Sequence, residues 1–276
     1  MKLNKAFLRN PIFILGVIIL VQTFILSYFA ILKHYAFMST AWDLGIYEQA
    51  IWSTINTGRF FWYTPEIAIN PSCNFFGIHF SPILFLILPV YALFQTTETL
   101  LILQVLLLLM GSIPVYKIAL YEKCDQKQAF TFALLYLFYP PLIGMISFDF
   151  HVQAFLPLLF FCAFYYFKRK DWGKYFLFIV LALMVIEFVP LIVIFFGLYI
   201  LFINRKKILS SIRNFNLKIL ICKEVLFSII TVILGVTWFI LAREVSLRIN
   251  PSAPPHPNWK TFPRWAFYHF LIPRQF

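Results

Sequence analysis

Ser81–Phe94 reads SPILFLILPVYALF, and whether this stretch crosses a membrane decides how the rest of the chain is threaded. A membrane is the setting its surroundings demand: 62% of the residues are hydrophobic, 12% are charged and 35 are phenylalanine, whereas soluble domains are nearer half apolar and a quarter charged. At 14 residues, broken by Pro82 and Pro89, the stretch falls short of the ~20 residues that span a bilayer. Charge decides between crossing and dipping back. If the stretch crosses, most basic residues end on the far side. If it re-enters, 16 of the 23 lie inside and 7 outside, as the positive bias of cytoplasmic loops requires. Ser81–Phe94 is therefore expected to be re-entrant or interfacial.

Outward from it, seven apolar runs are expected to cross: Pro11–Leu32, Leu100–Leu120, Ala129–Ser147, Val152–Phe167, Tyr175–Ile186, Val189–Ile203 and Val225–Ala242. The first follows a basic start and is not closed by small residues, so it reads as an uncleaved span. Tyr175–Ile186 and Val189–Ile203 are short, but the basic stretches Lys168–Lys174 and Asn204–Lys223 flank them. An even number of crossings must separate those flanks, which makes the two runs a hairpin with Glu187 at its tip. The expected fold class is an all-α polytopic protein of the cell membrane with about seven transmembrane helices, N-terminus cytoplasmic and C-terminus outside. Residues 1–242 form the transmembrane module, including an outer loop over 33–99, and 243–276 form an external Pro-rich tail. Membrane lipids are the expected partners. The net charge of +12 belongs to the loops that orient the spans, and no basic stripe on a polar domain points to nucleic acid. Cys73, Cys124, Cys162 and Cys222 show no zinc spacing, and only Cys73 falls outside, so no external disulfide is expected. No phosphate-binding loop or hydrolase motif is present.

The outer face is where acids gather. Thr40–Trp52, TAWDLGIYEQAIW, carries Asp43 and Glu48. On a 100° wheel Asp43 falls among Ile46, Tyr47 and Ala50, on an apolar face away from Gln49. An acid placed there is either a cap, in a Thr40-x-x-Asp43 arrangement, or a functional group whose burial needs a partner. Phe148–His151 (FDFH) puts Asp149 and His151 at the outer end of a span loosened by Pro140 and Pro141, although capping would explain Asp149 equally. Glu187 has no cation near it in sequence. Arg59, His79, Arg243, Arg248 and Lys260 are outer cations that suit a phosphate or serve as interfacial anchors beside the tryptophans of that face. Asp43 is the catalytic candidate; Glu48, Arg59, His79, Asp149, His151 and Glu187 are candidate substrate-binding groups. Asp43, the Phe148–His151 turn and the Glu187 tip are expected to close over one cavity. The oxygens of Glu48 and Asp149 would suit a divalent cation, Mg²⁺ or Mn²⁺, or sugar hydroxyls, and the pattern does not itself require a metal.

The order of a first span, then WDLGIYEQAIW, then GIHFSPILFLILPVY, then FDFHVQAFLPLL resembles the prokaryotic membrane family known as domain of unknown function 2079, over roughly Met1–Ile203. That family is similar in layout to membrane glycosyltransferases of the GT-C fold. The resemblance implies a catalytic acid in the first outer loop, here Asp43, a second outer acid at Asp149 and a membrane-bordering helix after His79. It also implies an activity, transfer of a sugar from a lipid-linked donor, a polyprenyl phosphate, to an acceptor on the outer face. Relatives carry a basic-acidic cluster where this chain reads IEF at Ile186–Phe188, which leaves Glu187 alone. They also continue through further spans, so the resemblance implies that this sequence is either an N-terminal piece or a degenerate member. The other class is a transporter or a non-catalytic subunit of a membrane complex. A transporter would hold ionisable groups midway along its spans, whereas the charges here lie at the borders.

Overall fold

The computed structural model describes residues 10–206, 208–209 and 223–251. The expectations for the N-terminal bases, for most of the Asn204–Lys223 loop and for the tail with Lys260 fall outside them. Helix α1 (Pro11–Tyr35) opens where Asn10 accepts from the Ile12 N–H and proline occupies the first turn, a position whose missing N–H costs nothing. A single π-helical turn, Ala41–Gly45, runs into α2 (Ile46–Thr57), which stops at Gly58 in a left-handed conformation, φ +67°. Only glycine adopts that turn without a Cβ penalty. Helix α3 (Leu84–Leu93) contains Pro89. Helices α4 (Thr97–Met110) and α5 (Ser112–Tyr121) join into one apolar run of 25 residues. Helix α6 (Gln126–Leu137) starts from a capping box between Asp125 and Gln128. It is bent by 45° from α7 (Pro140–Ile146), at the two prolines that cannot continue the hydrogen-bond ladder. Helices α8 (Phe155–Lys168), α9 (Trp172–Leu183), α10 (Val189–Ile203) and α11 (Lys223–Ile249) complete the described chain.

Among the described residues three helical runs are long and apolar enough to cross a membrane, α1, Thr97–Tyr121 and α11; the bent α6–α7 pair makes a fourth. The expected count of seven exceeds what helix length supports. The turn at Met184–Phe188 cuts α9 to 12 residues, about 18 Å at 1.5 Å per residue against a hydrocarbon layer of ~30 Å. Helices α3, α9, α10 and Val152–Lys168 are apolar but shorter than the three long runs.

Contacts between distant segments define two ends of the bundle. At one end Lys33 meets Asp149, the Tyr35 hydroxyl donates to Glu98, the Ile83 N–H donates to Met184 O at 2.8 Å, and buried Asn250 donates to Ile69 O at 3.3 Å. At the other end the Tyr121 hydroxyl donates to Lys168 O at 2.7 Å, Lys168 pairs with Glu122 and Lys170 with Glu224. Successive helical segments thus run to and fro between an Asp149 end and a lysine-rich end. Helices α10 and α11 pack most closely. A Cβ at Gly197 would lie 2.8 Å from Val232 Cγ2, and one at Gly235 would lie 2.7 Å from Ile194 Cγ1, so these glycines let the two backbones approach. The loop between α2 and α3 folds over the Asp149 end on a cluster of Phe60, Phe61, Phe75, Phe76 and Phe85. Gly77 faces Asn250, with no room for a Cβ 2.9 Å from that side chain.

Candidate functional site

At the Asp149 end a cleft of about 380 Å³ is lined by Trp42, Asp43, Ile46, Tyr47, Glu66, Phe75, His79, His151, Gln153 and Ile186. The π-helical turn that opens α2 aims Asp43 into it. The Thr40 hydroxyl accepts from the Asp43 N–H at 3.2 Å and donates to Asp43 Oδ2 at 2.8 Å. Asp43 is therefore tied into the helix start as a capping group would be, and its other oxygen is left for the cleft. Oδ1 lies 3.3 Å from His151 Nε2. Of the apolar residues read from the wheel, Ile46 and Tyr47 line the cleft with Asp43, and Ala50 does not.

Asp149 sits behind this pair, only 2% exposed. Lys33, from the last turn of α1, reaches its Oδ1 at 3.1 Å. The Thr40 N–H donates to its Oδ2 at 2.7 Å, and the Thr40 hydroxyl lies 3.3 Å from the same oxygen. One hydroxyl thus touches both carboxylates. The Phe148–His151 turn that carries Asp149 is held by Gln104, buried in α4. Its amide donates to Met145 O and Phe148 O, both at 3.1 Å, and its oxygen accepts from the His151 N–H at 2.8 Å. A buried polar side chain with all its partners fixes a turn firmly.

His79, also lining the cleft, has its Nδ1 3.3 Å from Glu187 Oε1, and the Phe80 N–H donates to Glu187 Oε2 at 3.1 Å. Burial works against a charge on His79, but the hydrogen bond and the negative charge of Glu187 outweigh it and hold the imidazole above its ordinary 6.5. Burial, with Glu187 acting in the same direction, pushes the Tyr47 phenol up, so it enters the cleft as a neutral ring. Glu66 is 8% exposed and accepts from the Tyr63 hydroxyl, which in turn accepts from the Asn70 amide at 3.0 Å. Burial and Glu66 together push the Tyr63 phenol up.

Of the residues singled out from sequence, the fold brings together Asp43, His79, Asp149, His151 and Glu187. Glu48 lies elsewhere, accepting from Thr97 at 2.6 Å and from Tyr91 at 3.4 Å. Arg59 does not line the cleft; its guanidinium sits 5.1 Å from the centre of the Trp62 ring. Sequence reasoning passed over Lys33, Thr40, Glu66, Gln104 and Gln153 as site residues. The signal that could have found Gln104 is a lone amide within an apolar run. Among the described residues no three His, Cys, Asp or Glu side chains converge as metal ligands.

The cleft is built from the first helix end, the long loop after it, the FDFH turn and the hairpin tip, all within the region that matches a known family. The family described as "Predicted membrane protein (DUF2079)" matches residues 33–266. No curated protein and no solved structure matches the chain. With most of its length under that match, from the end of α1 past the end of α11, the chain belongs to the DUF2079 family of membrane proteins.

Proposed function

We propose that the protein is a membrane glycosyltransferase of the GT-C kind, moving a sugar from a polyprenyl-phosphate donor to an acceptor hydroxyl at the outer face. The observation that carries this reading is the position of Asp43. It stands in an aromatic-walled cleft lined by the exposed Trp42, and Phe37 and Met38, shortly before it in the chain, are exposed as well, the first 96%. Exposed aromatics beside the end of a long apolar helix suit the membrane border, where a lipid-borne substrate can enter sideways. Helices α8, α9 and α10 run between the same two ends as the long helices, and with their flanking turns we count them as crossings. That makes seven, with the lysine-rich end cytoplasmic.

In the reaction the bond from the anomeric carbon to the phosphate oxygen breaks and its electron pair leaves with the phosphate. The acceptor oxygen forms the new bond, and its proton goes to Asp43. His79, hydrogen-bonded to Glu187, faces the departing phosphate, a part that Arg59, which does not line the cleft, does not play. Trp42 and Phe75 offer the flat faces on which a sugar ring packs. The test compares surface glycans and lipid-linked sugars, by mass spectrometry, in cells with and without the gene. Loss of a glycan with accumulation of its lipid-linked precursor is the expected result. A deletion that alters neither overturns the reading in favour of a transporter or a non-catalytic subunit.

A further inference from the structure

In the loop between α2 and α3 a line of side-chain hydrogen bonds runs inward and ends at the cleft. The Ser72 hydroxyl donates to Asn70 Oδ1 at 2.6 Å, the Asn70 amide donates to the Tyr63 hydroxyl at 3.0 Å, and that hydroxyl donates to Glu66 Oε2. Asn70 also donates to Asn74 O at 2.8 Å, which anchors the line to the main chain. Asn70 and Tyr63 are fully buried, and a buried line with its partners in place holds its last member rigidly. That member is a carboxylate in the wall of the cleft.

The other half of this carboxylate is unused. Oε1 of Glu66 accepts from no described residue, and among the described residues no lysine, arginine or histidine forms an ion pair with it. Glu66 is nevertheless more than nine-tenths buried. Burying a carboxylate without a cation is costly, and closing the loop does not need the charge, since an amide oxygen accepts from Tyr63 as well. The amide oxygen of Gln153, in the wall of the same cleft, is enclosed and likewise has no partner among the described residues. Both oxygens lack a donor. An ionised phosphate brings none, whereas every hydroxyl of a sugar brings one.

We infer that Glu66 is a substrate-binding residue, its open oxygen accepting a hydrogen bond from a hydroxyl of the donor's sugar. This rests on the transfer reaction proposed above. Tyr63 ties Glu66 to the place of the sugar: its ring lies 5.8 Å, centre to centre, from Phe75, one of the two flat faces on which the sugar packs. A charged acceptor makes a stronger hydrogen bond than a neutral one. The same charge repels the phosphate, so the donor settles with its sugar, and not its phosphate, against Glu66.

Glu66→Gln keeps the shape and an oxygen for Tyr63 but removes the charge. For the full chain in detergent, with no substrate present, the variant should unfold at the wild-type midpoint or above it, because a buried charge without a cation is gone. A lower midpoint overturns the inference, since the carboxylate then serves the fold. Transfer is measured in membranes of cells lacking the gene that carry wild type or Glu66→Gln, against rising amounts of lipid-linked sugars extracted from the deletion cells. The KM for that extract should rise about tenfold with kcat nearly unchanged, the mark of lost ground-state binding. An unchanged KM beside an active wild type overturns the inference only. An extract that wild type does not use removes the sugar reading and the inference with it.

Discussion

Carboxylates meet cations at both ends of the bundle, but under different conditions. At the lysine-rich end Lys168–Glu122, Lys170–Glu224 and Lys174–Asp171 close at 2.7, 2.6 and 3.2 Å, and all three are open to water, with Lys170 67% exposed. Two of them join packed segments distant in sequence and the third lies within one helix start, and exposed pairs of this kind contribute about 0–1 kcal/mol. At the Asp43 end, Asp149 is buried and takes its cation from a residue 116 positions away. Burying a carboxylate is costly unless it is paired and hydrogen-bonded, and the fold accepts that cost beside the cleft, at Asp149 and Glu66. Counting charges alone would rank the lysine-rich end first. Burial ranks the Asp43 end first, and that is why we place the chemistry there.

The contrast can be broken or sharpened by substitution. The largest effect is expected from Asp43→Asn. Asparagine caps a helix about as well as aspartate, so protein level should hold while sugar transfer in membranes falls about 10²–10⁴-fold; a capping role alone would leave transfer intact. Lys33→Met should come next, because it leaves Asp149 buried without its cation. We expect a loss of ~3 kcal/mol, read as a lower unfolding midpoint in detergent, and an unchanged midpoint would mean that water reaches the carboxylate. Gln104→Leu removes the partners of two carbonyls and one N–H, for an expected loss of ~1–3 kcal/mol, with faster hydrogen exchange at the Phe148–His151 turn.

A smaller effect should follow pH. The folded protein raises the pKa of His79 above 6.5 through Glu187, so the folded state binds that proton more tightly than the unfolded chain. The pair's stabilisation is full below 6.5 and is lost as pH rises through the raised value. Wild type should therefore lose its stability advantage over His79→Gln on going from acid to alkaline solution, and a constant difference would show that the pair does not titrate. Smallest of all is Lys170→Ala at the other end, expected to change stability by less than about 1 kcal/mol and transfer not at all.

Much of the helical frame was legible in the sequence. The break at Pro140–Pro141 follows from the missing N–H groups, and the turn around Glu187 follows from two basic flanks that must share a side. The number of crossings was less legible, because charge counts segments regardless of length, while a span also needs enough turns of helix. Within the site, Asp43 could be placed because helical geometry is local: the wheel that puts it beside Ile46 and Tyr47 also carries Glu48, five residues on, round to another face, where Thr97 and Tyr91 take it. The partners of Asp149 could not be read, since nothing near position 149 points to Lys33 or Thr40. Glu66 looked like an ordinary loop acid because its burial depends on how the loop folds back through Tyr63 and Asn70.

The account stands or falls on whether the Asp43 end performs sugar transfer, and one complementation experiment asks this directly. In cells lacking the gene, lipid-linked sugars and surface glycans are measured by mass spectrometry after return of wild type, Asp43→Asn or Lys170→Ala, with each protein quantified in the membrane. We expect wild type and Lys170→Ala to restore the glycan, and Asp43→Asn to be present at normal level while the lipid-linked precursor still accumulates. Restoration of the glycan by Asp43→Asn would contradict the account.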